Sequence, residues 1–184
     1  MKKSEIRNQK PENSGLVYVF TGEGKGKTSA ALGVAVRAAL RGMKVGIVQW
    51  YKEKRWPIAE HKIGEKMANI QIFPLGSGFY QLPSDHATPD EHKRAAEEAL
   101  EKARELLGRV DVLVLDEVIN AIGDQLVRES EVLKLIEERG EMHIILTGRG
   151  ASERLIKTAD LVTECKKIKH PFDSGKMAVG GLDY

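Results

Sequence analysis

Residues 16–28, L-V-Y-V-F-T-G-E-G-K-G-K-T, constrain the fold more than any other part of the chain. A short β-branched and aromatic run breaks there into a glycine-rich loop that closes with Lys27 and Thr28. Glycines let the backbone turn tightly, so that successive N–H groups and the N-terminus of a following helix point at an anion. Lys27 supplies a mobile positive charge for phosphates, and Thr28 supplies a hydroxyl for Mg²⁺. The segment therefore predicts a nucleoside triphosphate site.

The loop departs at one position from the standard phosphate-loop pattern. G-x-x-x-x-G-K-[ST] requires a glycine five residues before Gly26, where this chain has Thr21. Glycine-rich turns also join strands to helices for structural reasons alone. Here, however, a strand precedes the loop, Lys-Thr closes it, and helical periodicity follows over 29–40. The residues predicted to contact nucleotide are Thr21, Gly22, Glu23, Gly24, Lys25, Gly26, Lys27, Thr28 and Ser29.

An acidic pair ends another apolar run later in the chain. Residues 110–115 are apolar except for Asp111, and Asp116 and Glu117 follow them directly. Strands buried on both faces of a parallel sheet have such continuous apolar runs, and ligands collect at their carboxyl ends. We therefore predict that Thr28, Asp116 and Glu117 hold Mg²⁺, directly or through water. For the acidic pair alone, a solvated turn is the alternative.

Strand-like and helix-like segments alternate along the chain, which predicts an α/β domain with a mostly parallel sheet and right-handed crossovers. After the first strand, the predicted strands are 45–50, one within 69–74, 110–116 and 142–147, and the predicted helices are 29–40, 89–107, 130–139 and 151–158. The helix at 89 has the clearest start, because Thr88 is a suitable N-cap and Pro89 a suitable first residue. Three irregular stretches are candidates for binding a second substrate: 52–60, 75–88 and 166–184.

Length and charge narrow the possible functions. A length of 184 residues suits one domain. The charges are nearly balanced, with 29 Lys plus Arg and 27 Asp plus Glu, which indicates neither a basic stripe for nucleic acid nor a polybasic patch for a membrane. Cys165 is the only cysteine, so no internal disulfide forms, and we expect a buried thiol. Residues 1–14 lack the apolar core of a secretory signal, and no apolar run approaches the ~18 residues that cross a bilayer. We expect a cytoplasmic protein with a flexible arm over 1–14 and one domain over 15–184.

Five ordered segments and the tail carry a resemblance to a known family. They are T-G-E-G-K-G-K-T at 21–28, V-Q-W at 48–50, L-D-E-V-I-N-A at 115–121, L-T-G-R-G-A at 146–151, A-D-L-V-T-E at 159–164 and H-P-F-D-S-G-K-M-A-V-G-G-L-D-Y at 170–184. Together they resemble the P-loop ATP:corrinoid adenosyltransferases. The resemblance covers about residues 16–184 and is weakest over 52–104.

The resemblance implies a single P-loop NTPase-like (RecA-like) domain with helices on both faces of its sheet. It also implies transfer of the 5′-deoxyadenosyl group of ATP to the Co(I) centre of a reduced corrinoid, with triphosphate leaving. ATP lies in the family's loop in reverse of the usual orientation, so that C5′ is exposed. The implied partners are ATP with Mg²⁺ or Mn²⁺, cob(I)alamin or a cobyrinic acid derivative, a reductase or flavodoxin-like electron donor, and a second copy of the chain. Because the cofactor supplies the nucleophile, no Ser-His-Asp or Cys-His set is required.

By position, the resemblance assigns the metal-binding acidic pair to Asp116 and Glu117, with Glu117 as the first choice of ligand. It adds Asn120 to the nucleotide site. Arg37, on the helix after the loop, is a further nucleotide-binding candidate, with a surface salt bridge as its alternative. Arg149 follows the fifth strand at the same sheet edge as the loop, where its charge suits a phosphate oxygen, with a solvated arginine as the alternative.

The segment G-S-G-F-Y-Q-L at 76–82 resembles the family's aromatic loop and places Phe79 at its phenylalanine position. An apolar wedge below the corrin ring removes an axial ligand and makes Co(II) easier to reduce. Many members have a tryptophan two residues further on, where this chain has Gln81. Tyr80 or Leu82 would compensate. The alternative for Phe79 is an ordinary core residue.

Other aromatic and histidine residues leave alternatives open. Trp50 and Trp56 either line the corrinoid site or pack in the core. No pair of the five histidines has the spacing of a zinc site, and His170 is interpreted as structural or substrate-orienting. The competing functions are a P-loop ATPase or kinase that acts at the γ-phosphate and a non-catalytic corrinoid carrier. Triphosphate rather than ADP as product separates adenosyl transfer from the first of these.

Overall fold

The computed structural model describes residues 14–184 as one parallel sheet of six strands with helices on both faces. The strands are β1 Val17–Thr21, β2 Val45–Gln49, β3 Ile70–Pro74, β4 Val112–Asp116, β5 His143–Thr147 and β6 Leu161–Glu164. The helices are α1 Lys27–Leu40, α2 Ile63–Lys66, α3 Pro89–Glu105, α4 Val118–Gly123, α5 Glu129–Glu137 and α6 Glu153–Thr158. Short 3₁₀ turns cover Ala59–Lys62 and Pro171–Ser174. The predicted arm lies outside the described residues except for Ser14.

Alternating side chains along each strand supply two separate cores. Leu113 and Leu115 of β4 face one cluster, while Val112 and Val114 face the other. This period of two is the geometry of a strand buried on both faces and explains the nearly continuous apolar run in the sequence. α1 buries its small-residue stripe, Ala31, Ala35 and Ala39, on one face. α3 and α5 cover the other face.

The strand order β3-β2-β4-β5-β1-β6 explains why helices lie on both faces. The chain runs in one direction along the sheet from β1 to β2 and β3, with α1 and residues of α2 packed on one face. It then reverses and runs through β4 and β5 to β6, with α3 and α5 on the opposite face. A right-handed crossover changes faces when the direction reverses. All six strands are parallel, so their carboxyl ends share one edge.

Helix starts follow the predicted local chemistry. Thr88 caps α3 by accepting a hydrogen bond from the backbone of Glu91, and the Glu91 side chain accepts from the backbone of Thr88 in return. This reciprocal pair is a capping box, and Pro89 occupies the first turn as expected. The sixth strand and α4 were not predicted. The Cys165 prediction needs correction, because its side chain is half-buried beside the glycine loop and not in the core.

Candidate active site

The glycine-rich loop wraps around the ammonium group of its own lysine. Lys27 Nζ donates to the carbonyl oxygens of Gly22 and Gly24, both at 2.7 Å. Burial lowers the pKa of Lys27, and the nearby charge of Arg149 lowers it further. Gly26 has φ 117°, a left-handed conformation that side chains rarely adopt, immediately before α1 begins. The lysine thus lies inside the loop at the N-terminus of a helix, which is the position of a phosphate-binding cation.

Two of the glycines are required by the protein's own backbone. Gly24 N donates to Cys165 O at 2.6 Å, and Cys165 N donates to Thr21 O at 2.7 Å. A Cβ at Gly22 or Gly24 would lie 2.6 or 2.7 Å from the same Cys165 oxygen. Close approach to phosphate is therefore not the only reason for glycine here, because the segment after β6 packs directly against the loop.

Asp116 is the centre of a buried polar cluster at the carboxyl ends of three neighbouring strands. Its Oδ1 accepts from the hydroxyls of Thr28 at 2.8 Å and Thr147 at 2.7 Å. Its Oδ2 accepts from Gln49 Nε2 at 3.0 Å and Lys52 Nζ at 2.9 Å. The four donors occupy the acceptor capacity of this carboxylate.

The charge of Asp116 is maintained despite complete burial. Burial alone raises the pKa of a carboxyl, but the charge and hydrogen bond of Lys52, with the Thr147 and Gln49 bonds, outweigh it and lower the pKa of Asp116. The Lys52 ammonium also contacts Glu60 Oε1 at 3.0 Å. Burial lowers the pKa of Lys52, yet Asp116 and Glu60 together raise it above its ordinary value. Asp116 is therefore a fixed anion that orients the Thr28 hydroxyl.

Glu117 has the opposite environment. Its φ of 67° is left-handed, and its backbone N–H donates to Thr147 Oγ1 at 2.8 Å. Its Oε2 is buried and has no hydrogen-bond partner within residues 14–184. Burial, followed by the nearby charge of Asp116, raises the pKa of Glu117 to about 7. A buried carboxylate oxygen without a partner, beside the Thr28 hydroxyl cluster, fits a hard divalent cation.

A second loop closes this edge of the sheet after β5. Asn120 Oδ1 accepts from the backbone N–H of Arg149 at 2.6 Å, and Arg149 Nε lies 3.2 Å from Glu23 Oε2. Thr21 Oγ1 accepts from Ala151 N at 3.2 Å, which ties the loop after β5 to the end of β1. The unusual threonine of the glycine loop therefore has a structural role. Arg149 and Glu23 are both exposed at the mouth of the site.

The aromatic residues divide into core and surface. Trp50 is 2% exposed and donates from Nε1 to Ala96 O at 3.3 Å, so it is a core residue. Phe79 is 42% exposed, which excludes the core alternative for it. Its ring centroid lies 5.1 Å from that of Trp56. Tyr80 instead packs edge-on against His92, with ring centroids 5.0 Å apart.

Comparison with known proteins decides between the families that share such a loop. The sequence model of the ATP:corrinoid adenosyltransferase family BtuR/CobO/CobP matches residues 13–184. This chain belongs to that family of corrinoid adenosyltransferases.

Curated members of the adenosyltransferase family match nearly the whole chain. The corrinoid adenosyltransferase of a Sinorhizobium species is 37% identical over 187 residues, covering 99% of this chain and 86% of that protein. Its counterpart in Escherichia coli K12 is 34% identical over 179 residues, covering 96% of this chain and 89% of that protein. The corrinoid adenosyltransferase of Salmonella typhimurium LT2 is also 34% identical, over 184 residues with the same two coverages.

A solved structure supports the fold at lower similarity. The flagellar accessory protein FlaH from Methanocaldococcus jannaschii has a TM-score of 0.54 and 15% identity, covering 82% of this chain and 70% of that chain. At this identity the likeness concerns the fold alone, a P-loop NTPase-like (RecA-like) α/β domain. Within residues 14–184, no helix is long and apolar enough to cross a bilayer.

Some residues predicted for the adenosyltransferase site lie away from its centre. Arg37 is exposed in the last turn of α1, ten residues from Lys27, which is about 15 Å along the helix axis. Ser29 is also exposed, and Lys25 forms an ion pair with Asp183 of the tail. His170 Nδ1 accepts from Phe172 N at 3.2 Å, which agrees with the structural alternative for this histidine.

Three residues of the polar cluster were not predicted as site residues. Gln49 and Thr147 end β2 and β5, the two strands beside β4, so the strand order would have placed them next to Asp116. Lys52 has no comparable signal, because it follows β2 in an irregular segment and its reach depends on the tertiary path of that segment.

Proposed function

We propose that this chain transfers the 5′-deoxyadenosyl group of ATP to the cobalt of a reduced corrinoid. The Co(I) electron pair attacks C5′, the bond between C5′ and the ester oxygen breaks, and that electron pair leaves with triphosphate. The match to the adenosyltransferase family over residues 13–184 carries the proposal. The loop, with the Lys27 ammonium enclosed between its carbonyl oxygens and the Thr28 hydroxyl bonded to Asp116, supports it.

The triphosphate end of ATP belongs in the glycine loop. A phosphate oxygen there would replace the carbonyl partners of Lys27 Nζ, and the N–H groups at the start of the 14-residue helix α1 would face the anion. These groups stabilise charge that grows on the leaving triphosphate. Arg149, exposed at the mouth of the site, is proposed to add a second cation.

The residues present fit a magnesium ion. Glu117 Oε2, a buried oxygen without a hydrogen-bond partner among residues 14–184, is the first proposed ligand, and the Thr28 hydroxyl is the second. Asp116 acts through Thr28, since its own oxygens already accept four hydrogen bonds. When bound, the cation would neutralise part of the triphosphate charge.

The corrinoid is proposed to approach the exposed Phe79 from the same edge of the sheet. An apolar ring there excludes water and disfavours an axial ligand on cobalt, which makes Co(II) easier to reduce. We include in the proposal a separate reductase or flavodoxin-like donor for this electron and a homodimeric assembly.

A nucleotide analogue separates the proposed reaction from γ-phosphate chemistry. Anaerobic protein, Mg²⁺ and chemically reduced cob(I)alamin are mixed with ATP or with its β,γ-methylene analogue, and the visible spectrum is followed for a light-sensitive alkylcobalamin. Adenosyl transfer leaves the β,γ bond intact, so both nucleotides should form the product. An ATPase or kinase would consume ATP, leave the analogue intact and form no alkylcobalamin.

A further inference from the structure

Trp56 and Phe79 form an exposed aromatic pair on two different loops. Trp56 follows β2 and Phe79 follows β3, and both strands end at the edge that holds Asp116. The ring planes are inclined by 44°, with centroids 5.1 Å apart. Trp56 is half-buried and Phe79 is 42% exposed. The pair therefore gives solvent an apolar surface beside the polar cluster.

The backbones beneath this pair are joined closely. Gly76 N donates to Lys52 O at 2.9 Å, and Gly78 N donates to Tyr51 O at 3.0 Å. A Cβ at Gly76 would lie 2.1 Å from the carbonyl carbon of Tyr51. The loop after β3 thus lies directly on the segment that leads from Lys52, bound to Asp116, towards Trp56.

A charged cluster holds the two loops together on one side of the pair. Glu53 is only 9% exposed, and its Oε2 accepts from Arg55 Nε at 2.5 Å. His86 Nε2 lies 2.9 Å from Arg55 Nη2 and 3.4 Å from Glu53 Oε1. Gly78, with φ 101°, has no side chain to crowd this cluster, since a Cβ there would lie only 3.3 Å from Glu53 Oε1.

The burial of the Glu53 carboxylate under a surface loop costs free energy, which points to a role in positioning its neighbours. Buried carboxylates lose hydration, and an apolar side chain would fill the same space at lower free energy. Among the described residues, Glu53 Oε1 also lacks a hydrogen-bond partner at normal distance. The carboxylate fixes Arg55 and His86 around it and so sets the spacing of the loops that bear Trp56 and Phe79.

We propose that Trp56, held by Glu53, forms with Phe79 the aromatic surface that contacts the corrin ring. This rests on the proposed function. It explains how the chain functions with Gln81 in place of the tryptophan expected there, because the second large ring comes from the loop after β2. Tyr80 does not supply this second ring, because its own ring packs against His92. Trp56 is a contact residue, and Glu53 is a positioning residue that acts through it.

Steady-state kinetics of Trp56→Ala, Trp56→Phe and Glu53→Gln test the proposal. A lost aromatic contact is worth about a tenfold change in affinity. We expect Trp56→Ala to raise the KM for cob(I)alamin about tenfold, to slow the reaction from cob(II)alamin with a chemical reductant further, and to leave the KM for ATP within twofold. Trp56→Phe should recover most of the loss. Glu53→Gln should show the same pattern more weakly.

Ile156→Ala is the matched control, because it removes an apolar side chain that is also 42% exposed but lies on α6. It should leave both KM values and the rate from cob(II)alamin unchanged.

Absorption of protein-bound cob(II)alamin gives a second readout. Loss of the axial ligand changes the cob(II)alamin spectrum, and Trp56→Ala should reduce this change while its far-UV circular dichroism stays that of the wild type. Equal values of both KM parameters in the wild type and Trp56→Ala would overturn the inference, as would an equal rise in both. The proposed function itself fails only if the wild type forms no adenosylcobalamin from cob(I)alamin.

Discussion

Glu117→Gln should stabilise the protein without metal and abolish its use of MgATP. Glu117 has a buried oxygen with no hydrogen-bond partner in the part of the chain that the structure describes, and burial with the charge of Asp116 raises its pKa from 4.5 to about 7. Glutamine has nearly the same shape and no charge. The substitution therefore removes an unfavourable buried anion and the proposed metal ligand together, so stability and activity should change in opposite directions.

Proton linkage gives the size of the stability gain. The folded state binds the Glu117 carboxyl proton more tightly than the unfolded state does. Ionisation of Glu117 therefore lowers the free energy of unfolding progressively above pH 4.5, and this decrease reaches its full size above pH 7. The cost is about 3 kcal/mol at pH 8, about 2 kcal/mol at pH 6 and below about 1 kcal/mol at pH 5. E117Q escapes this cost, which corresponds to roughly 6–12 °C in Tm at pH 8 for a chain of this length.

Urea denaturation in EDTA at pH 5, 6 and 8 measures this effect, with the adenosylation assay run on the same preparations. Glu153→Gln is the control, since that carboxylate is 89% exposed and its pair with Lys157 should contribute little. If E117Q is less stable than the wild type at pH 8, or if the difference does not shrink towards pH 5, the ionised Glu117 does not destabilise the fold. If E117Q keeps wild-type activity at limiting Mg²⁺, Glu117 is not a metal ligand.

Four further substitutions test other parts of the structure. Lys27→Ala should lower kcat/KM for ATP at least 100-fold, about 2.7 kcal/mol of transition-state stabilisation, with unchanged circular dichroism. Asp85→Asn should lower the free energy of unfolding at pH 7, because the His92 bond, followed by backbone N–H bonds, lowers the pKa of Asp85 to about 2. That stabilisation is present above the unfolded pKa near 4 and is lost as the pH falls towards 2, so the difference from wild type should shrink between pH 4 and 3. Gly148→Ala should destabilise by about 2 kcal/mol or more in urea denaturation, since φ is 143° and a Cβ would lie 2.8 Å from Asn120 N. Gly33→Ala, in mid-helix with open space around it, should instead stabilise by about 0.5–1 kcal/mol.

The parts of the fold that sequence predicts well are those in which local chemistry and burial agree. The strand before the glycine loop, the loop and α1 follow directly from residues 16–40, and the threonine cap of α3 forms as expected. The shared edge of parallel strands then brings Thr28 within 2.8 Å of Asp116, although 88 residues separate them. A prediction that the strands are parallel is thus enough to predict long-range contacts between residues at their carboxyl ends.

The parts that sequence misses lack burial or local periodicity. Within residues 14–184, β6 pairs only with β1, and all four of its residues are exposed, so no apolar pattern marks it. α4 has six residues and begins directly after the left-handed Glu117, a start that no propensity predicts. The Lys52 contact with Asp116 and the Trp56 contact with Phe79 depend on how two irregular segments cross, and such crossings follow from tertiary packing.

The phosphate product distinguishes adenosyl transfer from phosphoryl transfer. The protein reacts to completion with ATP, Mg²⁺ and excess cob(I)alamin in the absence of oxygen. Phosphorus NMR then identifies the phosphate products, and visible absorbance measures the amount of adenosylcobalamin. We expect one intact triphosphate for each adenosylcobalamin formed, with no ADP. ADP and phosphate without a cobalt–carbon bond would refute adenosyl transfer and would mean that the loop supports phosphoryl transfer.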